Sequence, residues 1–128
     1  MCIRDSNIWV SSIVATNEDS TATGVLASGE SVEFVMTGSL IDGVAVGVVA
    51  DTQIYAILES TIRSTDTDLQ TDRGGLGEVV NSTFAGPVGI QVPPQSGVFV
   101  YSSTIAGDGA VLTEDSEGAV LYLSLIHI

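Results

Sequence analysis

The tripeptide Ser103-Thr104-Ile105 belongs to a pattern that runs through most of the chain. The same pattern returns upstream at Ser82-Thr83-Phe84, at Ser60-Thr61-Ile62 and, more loosely, at Gly38-Ser39-Leu40. Its apolar third residue recurs at steps of 21, 22 and 22 residues. A nearly constant period of this size is typical of stacked structural units in a repeat protein. The repeat predicts an architecture, and by itself it does not predict an activity.

Two apolar columns follow from this period. The third residue of each tripeptide forms one column, and the residue five positions earlier is also apolar in every unit. Because identical positions stack when a strand returns beneath itself, we expect both columns to be buried. This predicted structural ladder consists of Leu40, Ile62, Phe84, Ile105, Val35, Ile57, Val79 and Val100. A third column, fifteen residues before the first, consists of Val25, Gly47, Leu69 and Ile90.

The segments between the turns have the composition of β-strands. Residues 53–58 and 97–101 are rich in β-branched and aromatic side chains and are bounded by Gly, Ser, Thr or Pro. A strand that returns after one period pairs in parallel with its next copy, about 4.8 Å away. The sequence therefore predicts an all-β parallel solenoid of about four to five rungs. The Ser and Thr residues beside the buried column are expected to form a polar ladder of Ser39, Thr61, Thr83 and Thr104.

The alternative fold is an antiparallel β-sandwich. A sandwich also uses short strands, with turns about every 8 to 12 residues. However, nothing in a sandwich requires one tripeptide and two apolar offsets to recur at a fixed period. The regular spacing therefore favours the solenoid.

Two longer segments carry a resemblance to a known family. Ser82-Thr83-Phe84-Ala85-Gly86 and Ser103-Thr104-Ile105-Ala106-Gly107 resemble repeats of the right-handed parallel β-helix, the pectin-lyase-like superfamily. The resemblance covers residues 38–122 well and residues 7–37 poorly. It implies a structural or adhesive segment of a secreted or cell-surface protein, with a carbohydrate or cell-surface partner. The alternative that it implies is the scaffold part of a polysaccharide lyase or hydrolase whose catalytic rungs lie outside this segment.

The two ends of the chain have an unusual relationship. Residues 1–6 can be encoded by ATGTGTATAAGAGACAG plus one base, and the reverse complement of that DNA encodes, in frame, residues 123–127 and the start of the codon of Ile128, so the second end segment is residues 123–128. Both ends look like a translated transposon-end sequencing adapter, which is excluded from fold reasoning. We therefore expect the β-helix in residues 7–122, as a segment truncated at both ends and continued by further repeats of its own parent chain.

The charge of the chain is strongly negative. Sixteen acidic residues and three basic residues give a net charge of −13. Such a surface repels nucleic acid and anionic lipid, because both are bound through Lys and Arg. The longest apolar runs, such as residues 44–50, are far shorter than the roughly 20 residues of a membrane helix. We expect no nucleic-acid partner and no membrane span, and the single Cys2 and single His127 lie in the end segments.

One acidic cluster is a candidate metal site. Asp66, Asp68 and Asp72 lie on the segment that follows the third tripeptide, between Arg63 and Arg73. Carboxylates at alternate positions of an extended segment offer oxygen ligands to Ca²⁺. The competing interpretation, which we favour, is a solvated acidic turn with local ion pairs to the two arginines. No catalytic residue is predicted, and Ca²⁺ is the only cofactor considered.

The sequence also contains a candidate glycosylation site. Asn81-Ser82-Thr83 is an N-glycosylation sequon. Asn81 lies three residues before an apolar column residue, where a short polar side chain also suits a turn. The position aligns with Thr37, Glu59 and Ser102 when the units are counted back from that column.

Overall fold

The computed structural model describes residues 6–9, 12–15, 21–71, 75–94, 96–107, 109–113, 119–122 and 125–127. These residues form fifteen strands: β1 (Ser6–Trp9), β2 (Ser12–Val14), β3 (Thr23–Thr37), β4 (Leu40–Asp42), β5 (Val46–Leu58), β6 (Thr61–Arg63), β7 (Thr67–Thr71), β8 (Leu76–Val80), β9 (Thr83–Phe84), β10 (Val88–Val92), β11 (Gly97–Tyr101), β12 (Thr104–Ala106), β13 (Gly109–Thr113), β14 (Ala119–Tyr122) and β15 (Leu125–His127). No helix lies in the described residues, so none of their segments is a membrane-spanning helix.

The strands stack into three faces around one interior. The first face contains the first halves of β3 and β5 with β7, β10 and β13, and the second contains β1, the second halves of β3 and β5, β8, β11 and β14. The third face contains β2, β4, β6, β9, β12 and β15. Both β3 and β5 are long because each turns the corner between the first two faces, with a register shift between Gly29 and Glu33.

Parallel pairing identifies the architecture. All the strand pairs of the described residues are parallel, and each strand pairs with its equivalent in the next turn. The chain is a parallel β-solenoid of about four turns with a period of roughly 21 residues. The predicted solenoid is confirmed, and the β-sandwich is excluded because its strands would be antiparallel.

The core contains one continuous column of large apolar residues from each face. The three columns are Val25, Val48, Leu69 and Ile90 on the first face, Met36, Ile57, Val79 and Val100 on the second, and Ile41, Ile62, Phe84 and Ile105 on the third. Every member is at most 6% exposed. Burial of such side chains contributes about 1.5 to 3 kcal/mol each relative to full exposure.

The earliest positions of the predicted columns are wrong by one residue. Leu40 is 39% exposed and Val35 is only half-buried, while Ile41 and Met36 pair with Ile62 and Ile57. The steps from Ile41 to Ile62 and from Met36 to Ile57 are 21 residues, whereas the predicted steps were 22. Leu40 and Ile41 are both apolar, and so are Val35 and Met36. Residue type therefore does not show which member of each pair is buried. For the same reason the third column is continuous, because its member is Val48 and not Gly47.

A ladder of buried serines joins the turns on the inside. The backbone N–H of Ser39 donates to Oγ of Ser60, that of Ser60 to Oγ of Ser82, and that of Ser82 to Oγ of Ser103, each at 3.1 Å. Each Oγ in turn donates to the carbonyl two residues earlier, at 2.8 to 3.1 Å. These bonds satisfy polar groups that are costly to bury unpaired.

The threonines lie outside this ladder. Thr61, Thr83 and Thr104 are in register on the third face and at least partly exposed, as the polar ladder of the sequence analysis required. The fourth place in their column belongs to Leu40, because Ser39 aligns with the buried serines instead.

The residue before each ladder serine has a left-handed backbone. Glu59, Asn81 and Ser102 each have φ of 49°, and Gly38 has φ of 59°. This conformation turns the chain sharply at the corner between the second and third faces, and it is uncommon for residues other than glycine and asparagine. Asn81 therefore aligns with Gly38 and not with Thr37, the residue expected from counting back from the apolar column.

Parts of the two end segments also lie in the solenoid. Ser6 begins β1, which pairs with β3, and Leu125–His127 form β15, which pairs with β12. Ile126 is the register partner of Ile105. The backbone of these end residues therefore continues the stacking of the second and third faces.

Candidate functional site

Asp68 is the only acidic or basic side chain that is fully buried among the described residues. It is the second residue of β7, one residue before the buried column member Leu69. Equivalent places in three other turns are occupied by Gly24, Gly47 and Gly89. At Gly47 an added Cβ would overlap Ile62 and the backbone oxygen of Asp68, so this corner is tightly filled. A buried carboxylate at such a position needs several hydrogen-bond donors.

Three donors satisfy the carboxylate. The backbone N–H and the hydroxyl of Ser64 both donate to Oδ1 at 2.7 Å, and the backbone N–H of Gly86 donates to Oδ2 at 2.5 Å. Ser64 directly follows β6 and Gly86 lies after β9, so Asp68 links the corners of two successive turns. An added Cβ at Gly86 would lie 2.6 Å from both Oδ1 of Asp68 and Oγ of Ser64. Gly86 is therefore required for this contact.

The electrostatics of Asp68 reflect two opposing effects. Burial raises the pKa of Asp68 above its ordinary value of 3.8, and the hydrogen bonds from Gly86 and Ser64 partly counteract that rise. Desolvation disfavours the charged form, while donors aimed at a carboxylate favour it. Because both oxygens are aimed at protein donors, the arrangement is suited to holding two turns together.

The three aspartates of the candidate calcium site have different environments. Asp66 is exposed, Asp68 is buried, and Asp72 lies outside the described residues, as does Arg73. Asp66 and Asp68 therefore do not present their carboxylates on one surface. In the part of the chain that the structure describes, no group of three or more His, Cys, Asp or Glu side chains is arranged to hold a metal ion.

Arg63 pairs with the preceding turn. Its Nε donates to Oδ1 of Asp42 at 2.8 Å, and its Nη2 contacts Oδ2 of the same carboxylate. The hydrogen bond from Arg63 lowers the pKa of Asp42. The expected ion pair between Arg63 and the acidic turn is therefore wrong, because Arg63 ends β6 and its register partner on β4 is Asp42. The pair is exposed, and solvent screens such pairs.

Asn81 of the sequon is exposed at a corner of the coil. Its positive φ follows from its place before the ladder residue Ser82, so the turn alone accounts for an asparagine here. Glycosylation of the exposed Asn81 stays a prediction.

Sequence reasoning missed the Asp68 contact and the serine ladder. The signal for the ladder was present, since Ser39, Ser60, Ser82 and Ser103 recur at steps of 21, 22 and 21 residues. The signal for Asp68 is its alignment with three glycines, which becomes visible only after the register is corrected by one residue.

No protein-family model, curated protein or solved structure matches this chain.

Proposed function

We propose that this chain is a structural or adhesive segment of a secreted or cell-surface β-solenoid protein. The observation that carries the proposal is that the buried polar groups of the chain form hydrogen bonds within the coil itself. The ladder serines and Asp68 aim their polar atoms at the backbone of their own or neighbouring turns. Catalytic groups, by contrast, converge on a space that a substrate can enter.

The repeated turn suits a segment whose role is to extend and display a surface. In a solenoid each unit contacts only its neighbours, so turns can be added without changing those already present. Each added turn lengthens the rod by about 4.8 Å. The extracellular setting belongs to the same proposal and is supported by the resemblance of the Ser-Thr-Ile-Ala-Gly units to β-helix proteins.

The insertion of one extra turn tests this modular role. In one variant of the full chain residues 85–105 are duplicated in tandem, which preserves the register of the columns and keeps Gly86 beside Asp68. A control variant carries the same duplication with one additional residue between the copies of Val98 and Phe99 in the inserted turn, which exchanges the inward and outward positions along that strand. We expect the first variant to be as stable as the parent in urea and longer by one turn in small-angle scattering. Equal destabilisation of both variants would overturn the proposal.

The proposed location is tested separately by surface display. The chain is fused between an export signal and a surface anchor, with an epitope tag beyond it. We expect antibody labelling of intact cells and protection of the chain against added protease, because a solenoid that folds outside the cell resists cleavage. Complete degradation of an exported chain would contradict the extracellular assignment.

A further inference from the structure

The outer side of the second face is apolar over four turns. Along each of its strands, buried residues alternate with residues that point outward. The outward residues Ile54 and Leu76 are 55% and 57% exposed, and Phe99 is 37% exposed. The remaining apolar members are half-buried. Together this apolar sheet surface consists of Val35, Ile54, Ala56, Leu58, Leu76, Val80, Phe99 and Tyr101.

The other two faces differ from this surface. On the first face the outward column runs from Leu26 and Val49 into Gln70 and Gln91. On the third face the outward positions hold the threonine column with Leu40 at its start, and Val14 followed by the ion pair of Asp42 with Arg63. The interior columns of all three faces are equally apolar, so core packing does not explain an apolar exterior on one face only.

The apolar sheet surface has the extent of a recognition site. Four turns span about 14 Å along the axis, and five strand residues span about 16 Å across it. Monomeric soluble proteins rarely expose contiguous apolar patches larger than a few hundred Å², and the largest such patch is often functional. A partner that covers Ile54, Leu76 and Phe99 therefore removes the most exposed apolar side chains of this face from water.

Carboxylates lie within and beside the apolar sheet surface. Glu78 lies in register between Ala56 and Phe99, and Glu33 and Glu59 are also exposed at its borders. Among the described residues none of these three carboxylates has a cationic partner, since the one ion pair there joins Arg63 to Asp42. The chain has only three basic residues in all. A partner that covers Glu78 must therefore supply the positive charge.

We propose that the apolar sheet surface binds a basic amphipathic polypeptide segment, one that combines apolar side chains with Lys or Arg. This specifies the partner of the adhesive segment proposed above and rests on that function. Apolar residues of the segment cover Ile54, Leu76 and Phe99, while its cations pair with Glu78 and the bordering carboxylates. Burial of a carboxylate is costly unless a cation pairs with it, so the partner must supply both features.

Charge excludes the competing occupants. A second copy of the chain carries the same net charge of −13 and would bring carboxylates against carboxylates. An anionic lipid surface is repelled in the same way. Complementary charge also accelerates encounter with a basic segment, and this gain falls as salt rises.

The binding test uses three synthetic peptides and the full chain. The probe alternates Leu with Lys, one control alternates Leu with Glu, and the other alternates Ser with Lys. Fluorescence anisotropy measures the affinity at low and moderate salt. We expect the Leu-Lys peptide to bind at least about tenfold more tightly than either control. Equal binding of the Ser-Lys peptide would overturn the proposal, because it would show attraction by charge alone.

Matched variants locate the binding site. Leu76→Thr on the second face is paired with Leu26→Thr on the first, whose parent residue is 48% exposed. Glu78→Gln is paired with Asp66→Asn, an exposed carboxylate away from this surface. We expect Leu76→Thr and Glu78→Gln each to weaken binding by about tenfold and the two controls to leave it unchanged.

Three outcomes would contradict the inference: equal losses in the control variants, tighter binding to vesicles of anionic lipid than to the peptide, or concentration-dependent self-association that Leu76→Thr abolishes. Circular dichroism and urea unfolding of each variant confirm that it is folded. The extra-turn experiment contains no ligand, so failure of binding and failure of the proposed structural role are separate results.

Discussion

Tyr55 and Gly77 occupy the same register position on successive turns, and the Tyr55 ring fills the space that a side chain at position 77 would need. The same inward column continues with Phe34 before them and Val98 after them. The column therefore accommodates two large aromatic residues because the next residue is a glycine. The two positions are complementary in volume, so a side chain at position 77 requires a smaller residue at position 55.

Gly77→Ala is expected to destabilise the chain by about 1 to 3 kcal/mol, the usual cost of overpacking a core. The added methyl group overlaps the Tyr55 ring, which is only 1% exposed and has no free space to enter. Urea unfolding measures the loss. In the double variant with Tyr55→Val the cost of the alanine should largely disappear, and strictly additive losses would contradict this account.

Tyr55→Phe is expected to stabilise the chain by about 1 kcal/mol. Oη of Tyr55 is buried without a hydrogen-bond partner among the described residues, and an unpaired buried hydroxyl is costly. Burial raises the pKa of Tyr55 above its ordinary value of 10.0, so the parent chain should also lose stability as pH rises above about 10. The phenylalanine variant lacks this loss. A variant that is less stable than the parent at neutral pH would refute the prediction.

Ser82→Ala is expected to cost about 1 to 3 kcal/mol, because it leaves the buried N–H of Ser60 without an acceptor. Thr83→Ala, one residue further along and exposed, is the matched control and should change stability by less than about 0.5 kcal/mol. Thermal unfolding of both variants provides the comparison. Equal effects would show that the ladder does not stabilise the coil.

Asp68→Asn is expected to destabilise the chain, because the amide group cannot accept hydrogen bonds from both Ser64 and Gly86. The size of the loss should depend on pH. The pKa of Asp68 is raised in the folded state above 3.8, so the stability that its protonation provides is present below that pH and is lost as pH rises through the folded pKa. Urea unfolding should therefore show a larger difference between parent and variant at acid than at neutral pH. A larger difference at neutral pH would contradict the sign.

Salt is expected to stabilise the chain by screening its net charge of −13. The screening length is about 10 Å at 0.1 M and about 3 Å at 1 M, so most of the gain should occur at modest ionic strength. Thermal melts in NaCl, MgCl₂ and CaCl₂ at matched ionic strength should coincide. A calcium-selective rise that Asp66→Asn removes would instead support a specific site at the acidic turn, since a ligand bound only by the folded state stabilises it.

The sequence predicted those parts of the fold that depend on periodicity. Ile62, Phe84 and Ile105 stack as expected because a fixed period and parallel pairing leave one register for the later turns. Around Leu40 the prediction was wrong by one residue, since its neighbour Ile41 is equally apolar and only the tertiary structure selects between them. The alternation of apolar and polar residues along a strand did not predict the burial of Asp68. A carboxylate can be buried there because hydrogen-bond donors from the corners of two turns contact it.

The serine ladder also gives the coil a direction. In each of its interturn bonds the N–H belongs to the earlier turn and the accepting hydroxyl to the later one, from Ser39 through to Ser103. The two ends of the rod are therefore chemically different. Any further turn, or any second molecule that prolongs the ladder, must join head to tail in the same sense, because two like ends would oppose donors to donors or acceptors to acceptors.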